Sequence, residues 1–135
     1  MLKTIDLETP PGDCLVDFTA QAQAVVAESG IDSGLCALIT PHTTAGLTIN
    51  SALDAATPED IIAELRRLVP TRVDFAHQYD TPADAAGHIK AALVGHSLLL
   101  PIAAGRLLLG GSQSLLFCEF DGPRSRQVQV KIIRG

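Results

Sequence analysis

The sequence predicts an α+β fold with an antiparallel or mixed sheet system, and three observations carry that prediction. Strand-like runs occupy both ends of the 135-residue chain, and helix-period patterns are confined to blocks between them. The last segment alternates cleanly, with Val128, Val130 and Ile132 on one face and Gln127, Gln129 and Lys131 on the other. The length is that of one domain, and no repeat or composition break divides it, so residues 1–135 read as a single unit.

Lys3 to Glu8 and Asp13 to Thr19 read as two short strands. Between them Thr9-Pro10-Pro11-Gly12 is a turn signal that makes either a hairpin or a sheet-switching connection. Ala20 to Ser29 has helical spacing, with Thr19 as N-cap and Gly30 placed to end the helix. Gly34 to Thr40 is a continuous apolar strand that stops at Pro41. Ala45 to Asn50 is expected to pair with that strand or to continue it after a bend.

Thr57-Pro58-Glu59-Asp60 has the form of a helix start: a cap, a proline at the first position and acids in the first turn. That helix runs to about Val69, with Ile61, Ile62, Leu65 and Leu68 on its apolar face and Arg66-Arg67 solvated opposite. Residues 71–86 lack periodicity, and a loop of that length inside a domain is usually functional. A helix over Ala85 to Val94 closes at Gly95. Four further strands are expected over 97–102, 105–110, 114–120 and 126–134; Leu98-Leu99-Leu100 and Leu107-Leu108-Leu109, apolar on both faces, fit strands covered on both sides by protein.

The composition is 47% hydrophobic and 19% charged, an apolar surplus that points to subunit interfaces, yet no run approaches a membrane span. A net charge of -5 argues against nucleic acid as a partner, because phosphate backbones are held by clustered Lys and Arg. The N-terminal residues alternate like a strand and contain no apolar signal core, so a cytoplasmic protein is expected. Cys14, Cys36 and Cys118 lie far apart in apolar runs and read as buried free thiols.

Chemistry concentrates in the histidines. His42 follows a strand end beside Thr43 and Thr44, His77 lies in the irregular stretch, and His88 lies near a helix start. All three are presented from the ends of elements, where sites are usually built, whereas His96 reads as an ordinary polar residue. Their spacing matches no compact zinc motif, so spacing by itself leaves open whether they meet. A second constellation is the turn Asp121-Gly122-Pro123, from which Arg124 and Arg126 emerge two residues apart. In an extended chain they would share a face and grip an anion, or would pair with acids such as Glu119.

Taken in order and spacing, His42-Thr43-Thr44-Ala45-Gly46-Leu47-Thr48-Ile49-Asn50, His77 through His88-Ile89-Lys90, Gly105-Arg106-Leu107, Gln113 and Glu119-x-Asp121-Gly122-Pro123-Arg124-x-Arg126 resemble the YjbQ-like family, also called the secondary thiamine-phosphate synthase family. The resemblance implies a small α+β subunit containing a β-sandwich of mostly antiparallel strands, assembled as a homotrimer. It also implies that His42, His77 and His88 meet in a metal-binding pocket. Three departures stand out: Ser51 replaces a usual acid, Ser112 a usual tryptophan, and Gln78 a frequent aspartate.

The activity so implied joins a pyrimidine pyrophosphate to a thiazole phosphate with release of pyrophosphate. Such a step needs leaving-group charge neutralised, so a divalent metal and cationic donors suffice. On this reading the three histidines hold the metal, zinc suiting imidazole and magnesium arriving with substrate, while Arg124, Arg126 and Lys90 bind phosphate oxygens. Thr43, Thr44, Asn50 and Gln113 supply neutral hydrogen bonds, and Asp84 or Glu119 orients an imidazole or an arginine. The alternatives are a metal-dependent hydrolase of small phosphate esters or lactones, and a non-catalytic trimeric binder of a small phosphorylated molecule.

Overall fold

In a computed structural model, which describes residues 2–135, the chain runs β1 (Leu2–Glu8), β2 (Gly12–Asp17), α1 (Thr19–Ser29), β3 (Gly34–Ile39), β4 (Ala45–Asn50), α2 (Ala56–Leu68), α3 (Pro82–Val94), β5 (Ser97–Ala103), β6 (Arg106–Leu107), β7 (Ser114–Gly122) and β8 (Ser125–Arg134). Two antiparallel sheets result, one in the order β1-β8-β3-β5-β6 and one in the order β2-β7-β4. Their inner faces and α1 enclose the main core, including Phe18, Val26, Leu38, Leu47, Leu115, Phe117, Val128 and Val130. Helices α2 and α3 cover the outer face of the smaller sheet, where Ile62, Cys118 and Phe120 form a second cluster.

Strand β7 therefore lies between two apolar layers, and its run Leu115 to Phe120 is buried throughout. Successive side chains point to opposite sides: Leu115 and Phe117 enter the main core, while Cys118 and Phe120 face the helices. Such two-sided burial fits the apolar run Leu115-Leu116-Phe117-Cys118.

The turn at 9–12 is a sheet switch, since β1 pairs with β8 and β2 with β7. Strand β4 neither pairs with β3 nor continues it; it crosses to the smaller sheet and pairs with β7. The reason is that Pro41 ends β3 while Ala45 and Leu47 still need burial, and the two edges of β3 are already filled by β5 and β8. The helix starts also differ from expectation. Asp17 Oδ1 accepts the Thr19 amide at 2.9 Å at the start of α1, and Asp54 Oδ1 accepts the Ala56 amide at 2.9 Å at the start of α2, so an aspartate two residues upstream does the work expected of Thr19 and Thr57. Gly30 ends α1 in the left-handed region at φ 69°, as its position predicted.

Helix α3 begins three residues before the expected Ala85, because Thr81 Oγ1 accepts the Asp84 amide at 3.2 Å and Pro82 occupies the first turn. On α2, Ile62 is buried, but Leu68 is 57% exposed. Strand β6 has only two residues. The leucine triplets are covered on one side only within this chain: Leu100 and Leu107 enter the core, whereas Leu99 and Leu108 are 64% and 60% exposed. No helix among the described residues is long and apolar enough to cross a membrane.

Candidate metal centre and its anion-facing cavity

The site is built on the first turns of α3. Asp84 and His88 are four residues apart and so share a helix face. That face lies hard against the smaller sheet because the residues beneath are small: a Cβ at Gly87 would stand 2.9 Å from the Phe120 carbonyl oxygen and 3.4 Å from Thr44. The close approach lets His88 Nδ1–H donate to the Thr43 carbonyl at 3.2 Å. His77 arrives from the preceding loop, and its Nε2 lies 2.9 Å from Asp84 Oδ2.

His88 Nε2 lies 3.2 Å from the same Asp84 oxygen. Asp84 is 6% exposed, while the two imidazoles open to solvent. Among the described residues, His77, Asp84 and His88 form a group whose ligand atoms all lie within 4.8 Å of one another. Both nitrogens of His88 face acceptors, the Thr43 carbonyl and the Asp84 carboxylate. With the proton on Nδ1, the Nε2 lone pair of a neutral ring would point at a negative oxygen, a conflict that a cation between them removes. Two imidazole nitrogens and a carboxylate are also a donor set that borderline divalent metals accept.

Burial raises the Asp84 carboxyl, but the bond from His77 and the nearby His88 outweigh it and hold the group below the usual carboxylate range. The group opens into a cavity of about 370 Å³ lined by Pro41, His42, Thr43, Thr44, His77, Asp80, Asp84, His88, Arg124 and Arg126. Arg124 is half exposed there and is steered by Asp121, whose Oδ2 accepts from Nη2 at 2.8 Å and whose carbonyl accepts from Nε at 3.0 Å.

The two arginines do not form the pair of free grips that an extended chain would make. Arg126 is 4% exposed; its Nε and Nη2 donate to Glu119 Oε1 and Oε2 at 2.8 and 2.5 Å, and Nη2 also donates to Thr44 Oγ1 at 2.8 Å. Glu119 further accepts from Thr9 Oγ1 at 2.6 Å and from the Asp121 amide at 3.0 Å. Glu119 and Thr44 thus hold Arg126, and Asp84 holds the imidazoles. His42 lines the cavity without joining the ligand-atom group, because its Nε2 accepts the Gln127 amide at 2.9 Å. Burial, reinforced by Arg126, lowers its pKa and favours the neutral ring.

Three other sequence-selected residues lie away from this cavity. Lys90 is two positions after His88, about 200° around a helix, so it points at β2 and forms a buried ion pair with Asp13 rather than facing an anion. Asn50 pairs with Ser114 at the end of β4 remote from Thr44, roughly 20 Å along the strand, and Gln113 accepts the Gly110 amide beside it. Ser51 and Ser112 belong to that same remote end, so the departures they represent leave the histidine cavity of the chain unaltered. Sequence reasoning passed over Asp80 as a cavity residue and Asp121 as the acid that steers Arg124. The signal available was the density of aspartates between 74 and 84 and the turn residue directly before the arginines.

Comparison with known proteins finds similarity along nearly the whole chain. A sequence profile described as UPF0047 protein YjbQ-like matches residues 3–135. The UPF0047 protein YugU of Bacillus subtilis is 37% identical over 135 residues, covering 98% of this chain and 99% of its own. A UPF0047 protein of Methanocaldococcus jannaschii is 40% identical over 133 residues, covering 98% and 94%. Among solved structures, a YbjQ-like protein of unknown function from Sulfolobus solfataricus superposes with a TM-score of 0.93 at 28% identity over 100% of this chain and 97% of that one. A yjbq/upf0047 family protein from Clostridium acetobutylicum gives 0.91 at 40% identity over 97% and 99%. With the whole sequence, both sheets and all three helices matched in this way, the chain belongs to the YjbQ-like UPF0047 family.

Proposed function

We propose that His77, Asp84 and His88 hold a divalent metal, zinc fitting the imidazole-rich set best, and that the adjoining cavity takes a small phosphorylated molecule. The observation that carries this reading is the focusing of two imidazole Nε2 atoms on one buried carboxylate oxygen beside the half-exposed Arg124. A metal bound there supplies Lewis-acid neutralisation of phosphate oxygens. Arg124, held by Asp121, adds a fixed positive charge at the mouth, and His42 contributes a neutral ring with an Nδ1–H donor. Arg126, paired with Glu119, shapes the wall and lends charge from behind.

The reaction proposed is of the thiamine-phosphate synthase type. The thiazole nitrogen forms a bond to the pyrimidine methylene carbon as the carbon–oxygen bond to pyrophosphate breaks, and pyrophosphate leaves with the electron pair. The chain's part is to orient both molecules and hold the leaving charge. The assembly proposed is a homotrimer, supported by the apolar outer face of the larger sheet, where Leu35, Ile39, Leu99 and Ile133 are 41%, 38%, 64% and 51% exposed.

Metal analysis of purified wild type beside His77→Ala, Asp84→Asn and His42→Ala tests the centre. His77→Ala and Asp84→Asn are expected to lose at least about tenfold in metal affinity and His42→Ala far less. Equal metal content in all four proteins would sink the proposed centre. Pyrophosphate release that requires both substrates together supports the synthase, whereas release of phosphate from a single ester would replace it with a hydrolase.

A further inference from the structure

Each oxygen of the buried Glu119 carboxylate accepts one bond from Arg126 and another from a residue that touches Arg124. Oε1 accepts from Arg126 Nε at 2.8 Å and from Thr9 Oγ1 at 2.6 Å. Oε2 accepts from Arg126 Nη2 at 2.5 Å and from the Asp121 amide at 3.0 Å. Asp121 in turn steers the Arg124 guanidinium, and Thr9 holds the Arg124 backbone. The Thr9 amide donates to the Arg124 carbonyl at 2.9 Å, and the Arg124 amide donates to Thr9 Oγ1 at 3.0 Å. Both backbone polar groups of Arg124 therefore end on one residue.

Thr9 lies on the connection between β1 and β2 and is 7% exposed. Its hydroxyl has a single hydrogen to give. The 2.6 Å contact with an ionised carboxylate takes that hydrogen, because a charge-assisted bond is the stronger one, and the oxygen lone pairs are left for the Arg124 amide. Pro123 has no amide hydrogen, so the anchor that follows Gly122 is the Arg124 amide itself. The buried acid thus orients a hydroxyl, and the hydroxyl holds the residue whose side chain stands at the cavity mouth.

We infer that Thr9 is a positioning residue for the anion cavity: by donating to Glu119 while accepting the Arg124 amide, its hydroxyl fixes where the Arg124 guanidinium stands. This rests on the proposed part of Arg124 in holding phosphate. It adds the residue through which the buried Glu119–Arg126 pair acts on the mouth of the cavity. Valine has the shape of threonine without the hydroxyl, so Thr9→Val keeps the backbone amide bond but leaves the Arg124 amide without its acceptor. Arg124 then keeps its charge and loses its fixed placement, and anion binding carries the added entropy of ordering it.

The test compares full-length wild type, Thr9→Val, Thr9→Ser and Arg124→Gln. Inorganic phosphate affinity is read by calorimetry, exchange of the Arg124 Nε–H with water by NMR, and zinc content by metal analysis. Thr9→Val is expected to bind phosphate about tenfold more weakly and to exchange faster at Arg124 Nε–H, with Thr9→Ser close to wild type. Zinc content should match wild type throughout, since none of these changes touches His77, Asp84 or His88. Added to Arg124→Gln, Thr9→Val should cost no further affinity, because its effect runs through Arg124. Thermal melts confirm the fold, and Thr9→Ala repeats the test should valine disturb the packing.

Wild-type exchange at Arg124 in a folded Thr9→Val, a loss in Thr9→Ser as large as that in Thr9→Val, additive losses in the double variant or a fall in zinc content would each overturn the inference. Failure of both Thr9→Val and Thr9→Ala to fold would make Thr9 a structural residue and overturn it as well. Wild type that binds no phosphate, with Arg124 Nε–H still exchanging faster in Thr9→Val, would refute the anion site and support the placement of Arg124 by Thr9.

Discussion

Arg126 and Glu119 form a bidentate ion pair in which both side chains are buried, at 4% and 0% exposure, with N–O distances of 2.8 and 2.5 Å. The pair joins β7 to the start of β8 behind the cavity wall. Removing one partner would leave the other charge buried and uncompensated, which costs more than the pair contributes. Glu119→Gln is therefore expected to lower unfolding free energy by about 3 kcal/mol, read from urea unfolding. The double change Glu119→Leu with Arg126→Met should recover a large part of that loss. A double variant as unstable as the single one would contradict the account.

The same pair sets a pH dependence. Burial raises the Glu119 carboxyl, but bonds from Arg126, Thr9 and the Asp121 amide outweigh it and hold the folded value below its ordinary 4.5. Below that ordinary value the unfolded chain takes up a proton that the folded chain resists. The contribution is thus fully present above about pH 4.5 and disappears as pH falls through the depressed folded value. Unfolding free energy measured between pH 7 and pH 3 should fall at the acid end, with a shallower slope in Glu119→Gln.

At Gly87 the helix and sheet are too close for a larger side chain, since a Cβ would meet the Phe120 carbonyl at 2.9 Å. Gly87→Val is expected to push α3 away from β7 and to cost about 2 kcal/mol of stability. Because that movement also draws His88 from the Thr43 carbonyl, zinc content should fall with it. Unchanged zinc binding in a folded Gly87→Val protein would show that the helix position does not set the ligand geometry.

The outer face of the larger sheet carries the assembly prediction. Leu99 and Ile133 are 64% and 51% exposed on strands that flank β3. Leu99→Lys places a charge on that face while leaving the inner core untouched. Light scattering should report a trimer for wild type and a smaller species for the variant. A wild-type monomer would remove the proposed assembly.

Burial pushes the Cys118 thiol up to about 12 and the Cys36 thiol up to about 11. Since the thiolate is the reactive form, both should resist alkylation at pH 8 until the protein unfolds. Cys14, half-buried, should react first in the native protein. Mass spectrometry after timed iodoacetamide treatment reads the order directly.

The α+β class, the strand at 126–134 and the helix stop at Gly30 were legible because each depends on local periodicity or on a backbone conformation that one residue favours. The partner of β4 was not legible. It depends on which strand edges remain open after β5 and β8 have flanked β3, and pairing of that kind is settled only when the whole sheet assembles. The roles of the two arginines were likewise beyond local pattern: identical side chains two residues apart finish with one sealed against Glu119 and one at the cavity mouth.

By itself the sequence determined which residues could do chemistry, the histidines and the acid-arginine turn, because residue type limits proton, metal and anion binding. Only the tertiary structure decided which of them meet. It brought Asp84 to His77 and His88, turned His42 onto the Gln127 amide and sent Lys90 to Asp13. The physical reason is that ligand atoms must converge to within a few ångströms. Helix phase and the close packing of α3 on β7 fix that separation, and spacing along the chain does not.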